Sequence, residues 1–196
     1  MPTEPRFARF RRSPLTEHPG ACEVPDSGMC LSTFVVLERA GRDGEVLLGR
    51  LDPSAPWWEL GAIDPARVER IGERWMLPSR QLALFESPDD AARSILWEQL
   101  GVDALELEGP LVFSDPADEP GPGRRDPHWD LHFVYRGRWT AAEPPRNPSW
   151  RSLAFVDVRR LGRDEIARGQ RDVLELAEVV PPVGEGPSAT GRTRRP

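Results

Sequence analysis

One stretch constrains this chain more than any other. Ser87-Pro88-Asp89-Asp90 puts a hydroxyl side chain at a helix N-cap, a proline at the first helical position and two acids in the first turn. Acids there complement the partial positive charge of a helix start. Ala91, Ala92, Ile95, Leu96 and Leu100 follow at helical spacing on one apolar face, and Gly101 suits a left-handed cap that ends the helix. A helix with one apolar face needs a surface to cover, and the flanking segments supply strands. Cys30–Glu38 is apolar and β-branched, and Glu45–Leu51 reads as its hairpin partner across Gly41-Arg42-Asp43-Gly44. Trp75–Leu84 is strand-like with a break at Pro78, and Leu105–Phe113, Leu131–Tyr135 and Ser152–Val158 read as further strands. Asp64 and Pro65 open a helix predicted over 66–74. A last amphipathic helix is predicted over 164–178, with Ile166, Val173, Leu174 and Leu176 available for burial. This order predicts an α+β domain with a mixed sheet between helices.

The 22 prolines of the 196 residues cluster outside these apolar runs. They divide the chain into an N-terminal arm (1–28), a folded domain (29–180) and a C-terminal tail (181–196) expected to be disordered. Ser114–Pro127, dense in Pro, Gly and Asp, is expected to be a long functional or mobile loop. No apolar run approaches the roughly 18–20 residues that span a bilayer, and no signal-peptide pattern opens the chain, so a cytoplasmic protein without membrane contact is expected. The net charge of −6 argues against general nucleic-acid binding, which needs phosphate-neutralising surface. Every basic residue is arginine, in keeping with a bacterial-type, high-GC composition. That excludes a lysine nucleophile, a Schiff base and a phosphate-loop lysine. Cys22 and Cys30 have no second pair, which excludes a zinc ribbon, and both read as free thiols.

Residues 75–102 resemble the core of the Nudix hydrolase family, whose signature is G-x5-E-x7-R-E-U-x-E-E-x-G-U with U aliphatic, often preceded by W-x-L-P. Trp75-Met76-Leu77-Pro78 matches the lead-in, and Glu86, Leu96, Glu98, Gly101 and Val102 fall in register. The resemblance implies a helix–sheet–helix sandwich over about 30–178. It implies a cleft for nucleoside-diphosphate-linked compounds and a divalent cation, Mg²⁺ or Mn²⁺, held by glutamates on one helix face. The chain departs from the signature in its chemistry. The leading glycine falls on Arg80, the residue before it on Ser79, and the glycine often found before the first glutamate on Phe85. The R-E pair falls on Ser94-Ile95 and the E-E pair on Glu98-Gln99. Positions i, i+3 and i+4 share a helix face, so one carboxylate, one amide and one aliphatic group stand where a cation would need several carboxylates.

By this resemblance Glu98 and Glu86 are the candidate catalytic residues, with Glu98 the candidate metal ligand. Arg80 and Gln99 are candidate ligand-binding residues, Arg80 because a guanidinium can grip an anion where the family uses a metal. Alternation along a strand puts His128, Asp130 and His132 on one face, expected to line a ligand pocket. His128 and His132 would be about 13 Å apart, too far to share one ion unaided. Trp57 and Trp58 are expected to cover the core edge or stack on a base, and Trp97 to pack the helix on the sheet. The leading expectation is a phosphate-containing or nucleotide-like ligand with weak or no hydrolysis. An active divergent hydrolase using Mg²⁺ or Mn²⁺ and a protein-interaction module on the same fold are the alternatives.

Overall fold

A computed structural model describes residues 9–10, 29–117, 128–167 and 169–180. Its elements in chain order are strands β1 (Arg9–Phe10), β2 (Met29–Arg39) and β3 (Glu45–Leu51), helices α1 (Trp57–Gly61) and α2 (Pro65–Ile71), and strand β4 (Ser79–Gln81). Helix α3 (Pro88–Ser94) continues into a π-helical turn at Ile95–Leu100. Strands β5 (Leu107–Ala117), β6 (His128–Trp139) and β7 (Trp150–Asp157) and helix α4 (Gln170–Leu176) complete the set.

The strands form one mixed sheet in the order β5-β6-β2-β3-β7, with β1 and β4 also pairing β2. The β2–β6 pair is parallel and the other pairs are antiparallel. Side chains of a strand alternate between faces, and β2 supplies both. Val35 and Leu37 pack with Ala92, Ile95, Leu96 and Leu100 on the α3 side. Phe34 and Val36 pack with Val173, Leu174 and Ala177 on the α4 side. Burial on both faces explains the near-continuous apolar run of this strand. The result is the expected helix–sheet–helix sandwich. A third cluster under α1 and α2 seats Trp57 edge-on to Trp150, with ring centroids 4.7 Å apart. Gly49 lies against the Trp150 ring, and a Cβ there would come within 2.1 Å of it.

Several expectations are corrected. The Pro- and Trp-rich connection contains α1, a five-residue helix with Trp57 buried at its start, while Trp58 is half exposed. Helix α2 ends at Ile71, before Gly72, rather than at residue 74. Trp97 does not pack the helix on the sheet: it lies on the side of the helix away from the buried Ile95 and is exposed. The last helix is shorter than predicted. Arg163–Glu165 forms a 3-10 turn, Ile166 bridges to Trp75, and Gly169 precedes α4 in a left-handed conformation. Leu176 remains partly exposed. Strand β5 extends into the predicted long loop as far as Ala117 and β6 begins just after it at His128, while residues 118–127 lie outside the described residues. So do the tail and all of the arm except the two residues of β1. Among the described residues no helix is long and apolar enough to cross a membrane.

Candidate functional site

The site is built on the start of α3. Ser87 Oγ accepts a hydrogen bond from the Asp90 amide at 3.1 Å and donates to Asp90 Oδ2 at 2.7 Å, closing the cap. The Ser87 hydroxyl, with Arg93 adding to it, holds the Asp90 carboxyl below its ordinary range. Just before the cap, Ala83–Glu86 makes a tight turn. Glu86 N donates to Ala83 O at 3.2 Å, and Ala83 N donates to Glu86 Oε2 at 2.7 Å. Phe85 sits at φ +64° and is fully exposed at the tip of this turn.

Three of the predicted site residues meet beside it. Arg80 lies on β4 opposite Thr33 of β2, and its side chain is 1% exposed. Its Nη1 donates to Glu98 Oε2 at 3.2 Å, and its Nη2 lies 3.5 Å from Glu86 Oε1. Ser94 Oγ, at the position where the Nudix signature has an arginine, donates to Glu86 Oε1 at 3.4 Å. One buried guanidinium is therefore shared by two carboxylates, one from the turn and one from the helix. Glu98 is the more open of the two, at 30% against 13% for Glu86.

Gln99 turns the other way. It is fully buried, its Oε1 accepts from Ser79 N at 3.2 Å, and its Nε2 donates to Ser79 O at 2.8 Å and Leu60 O at 3.1 Å. Its amide ties the helix to β4 and α1 and is spent on backbone. Ile95 is likewise buried, in the core against β2 and β3.

A divalent cation of the family's kind requires several converging carboxylate oxygens with room for water. The residues present do not fit one. The helix face offers Glu98 alone, and a guanidinium already lies against both carboxylates. Among the described residues no three His, Cys, Asp or Glu side chains converge.

The strand register separates the remaining candidates from this triad. Thr33 pairs with Arg80 and with Phe133, whereas Ser32 pairs with Gln81 and with His132. Cross-strand partners share a face. His132 and Asp130 therefore lie on the α4 side of the sheet, opposite Arg80. His132 is buried, with Phe34 and Phe113 ring centroids at 5.1 and 4.8 Å. Asp130 pairs with Cys30, whose thiol is free, and His128 is in register with Ala117. Gln81 joins this group and was missed by the sequence reading. It is 8% exposed, and its Nε2 donates to Cys30 Sγ at 3.6 Å. Its buried Oε1 finds no hydrogen-bond donor among the described residues. The available signal was its place next to Arg80 on a strand, which alternation sends to the other face.

No family model and no curated protein matches this chain in sequence. Solved structures do match. The NUDIX domain of Shewanella oneidensis NrtR, crystallised with ADP ribose, is 16% identical with a TM-score of 0.52, over 83% of this chain and 92% of that one. The MutT protein of Methanosarcina mazei Go1 is 16% identical with a TM-score of 0.50, over 81% of this chain and 96% of that one.

Proposed function

We propose that this chain, which has the Nudix fold, binds a phosphate-containing or nucleotide-like ligand in the cytoplasm with weak or no hydrolysis. The observation that carries the reading is the helix face at positions 95, 98 and 99. Ile95 and Gln99 are buried in structural roles, which leaves Glu98 as the one carboxylate there. Metal-assisted hydrolysis depends on a cation that both bridges phosphate oxygens and lowers the pKa of a bound water. One carboxylate already paired with Arg80 is a poor holder for such an ion. Kinship with hydrolases of nucleoside-diphosphate compounds belongs to the same proposal.

On the other face of the sheet, where Phe34, Phe113 and His132 pack on one another, the Gln81 carbonyl offers a buried acceptor for an N–H donor. A buried acceptor without a donor costs free energy, which a ligand donor would recover. The NrtR domain crystallised with ADP ribose makes that compound a sensible first probe.

The test is a panel of nucleoside triphosphates, nucleotide sugars, dinucleoside polyphosphates, NADH, coenzyme A and ADP-ribose, with and without Mg²⁺ or Mn²⁺. The expected result is a ligand-induced rise in Tm, reduced in Gln81→Leu, with no product release. Metal-dependent turnover that disappears in Glu98→Gln would overturn the reading in favour of an active divergent hydrolase. A protein-interaction role has its own observation, the exposed Leu84 and Phe85 at the turn tip. Partner capture lost in Phe85→Ser, with no response to any small molecule, would favour it.

A further inference from the structure

We propose that Arg80 is the resident cation of the former metal site: its guanidinium stands in for a divalent ion, and removing it opens Glu86 and Glu98 to one. The inference rests on reading this helix as a former metal site, and it adds what now compensates the charge there.

Three independent segments supply the parts. Arg80 rises from β4 on the α3 side of the sheet, Glu86 closes the turn before the helix, and Glu98 projects from the π-helical turn. Two carboxylates held near one point at low exposure repel each other and require a nearby positive charge. Arginine remains protonated at any pH the fold survives, so the charge is permanent and fixed to the backbone. A guanidinium satisfies the electrostatics of such a site but not its chemistry. It has no open coordination position and cannot turn a bound water into a nucleophile near neutral pH. Glycine at position 80, as in the family signature, would leave the space beside both carboxylates to an ion. Arginine there occupies the space with its own side chain, which the 1% exposure of that side chain records.

The test uses metal alone, so that no nucleotide enters and its failure is distinct from failure to find a ligand. Full-length wild type, Arg80→Ala and Arg80→Ala/Glu98→Gln are melted in EDTA and in MnCl₂ at matched ionic strength. Uptake is followed in parallel by the loss of the free Mn²⁺ electron-paramagnetic-resonance signal. Wild type is expected to take up no ion and to keep its Tm. Arg80→Ala is expected to melt lower in EDTA, to take up one Mn²⁺ per chain, and to gain roughly 2–6 °C when the ion saturates it. Removing the Glu98 carboxylate should abolish that gain. Mn²⁺ uptake by wild type, or none by a folded Arg80→Ala, overturns the proposal. If Arg80→Ala does not fold, the neutral variant Arg80→Met/Glu86→Gln/Glu98→Gln decides. Recovery of the fold supports charge compensation as the role of Arg80, and failure to recover overturns it.

Discussion

The hydroxyl of Tyr135, in the middle of β6, donates its hydrogen bond to the carboxylate of Asp89 in the first turn of α3. The two residues are 46 positions apart, and the bond joins the sheet to the helix start that carries the candidate site. Burial, with the Asp89 carboxylate adding to it, pushes the phenol well above its ordinary value. Tyr135 is the only tyrosine in the chain, so its ionisation can be read directly. Absorbance titration should show no phenolate in the native protein at about pH 10–11, and a titration near 10 once the chain is denatured. A folded-state pKa above the unfolded value contributes stability that is complete below about pH 10 and is lost as the pH rises through the folded value. Asp89→Asn should lower the native titration and cost on the order of 1 kcal/mol in urea unfolding.

Acid should act on the cap. The Asp90 carboxyl is held low chiefly by the Ser87 hydroxyl, and the Asp157 carboxyl chiefly by Arg159. Depressed values contribute stability that is present above the ordinary carboxylate range, about pH 4, and is lost as the pH falls through the lower folded values. Tm measured from neutral pH downward should therefore fall below about pH 4. Ser87→Ala should cost about 1 kcal/mol near neutrality and flatten that acid limb.

Placing a glutamate at position 99, where the Nudix signature carries one, should harm the protein rather than confer hydrolysis. Gln99 is fully buried and donates to two carbonyls, neither of which a carboxylate can satisfy. Gln99→Glu should lose at least about 2 kcal/mol in denaturant unfolding, with no gain of metal-dependent turnover. Gln99→Leu removes these two bonds and the one accepted from Ser79 N without adding charge, and should lose less than the glutamate variant. An equal loss would show that charge burial is not the larger cost.

Phe85 and Gly101 offer a paired test of backbone strain. Both hold positive φ, +64° and +68°. A side chain there costs roughly 1–2 kcal/mol, and glycine's extra freedom in the unfolded chain costs roughly 0.4–1 kcal/mol. Phe85→Gly should therefore be at least as stable as wild type. Gly101→Ala should lose about 1 kcal/mol, since the new Cβ would meet only an ordinary contact, Arg146 O at 3.6 Å. Thermal unfolding of the two variants side by side checks both.

The capped helix start and the strands β2 and β3 were legible because their signals are local. A cap depends on residues within one turn, and a strand pattern on alternation or on an unbroken apolar run. Helix α1 was hidden because a five-residue helix has little intrinsic stability. It is held by Trp57 against Trp150, nearly a hundred positions away. The end of α3 was legible as a helix at Gly101, but its π-helical winding and the hydrogen bond that Gln99 O accepts there from Trp150 Nε1 of β7 were not.

By itself the sequence determined the fold class and that positions 95 and 99 carry Ile and Gln where the Nudix signature has glutamates, both properties of residue type and spacing. It also carried Arg80 in place of a glycine, without saying what that arginine does. Only the tertiary structure decided that Arg80 is buried between Glu86 and Glu98, and that His132 and Asp130 lie on the opposite face of the sheet. A charge can be buried only where its partners converge, and convergence depends on strand register and on segments distant along the chain.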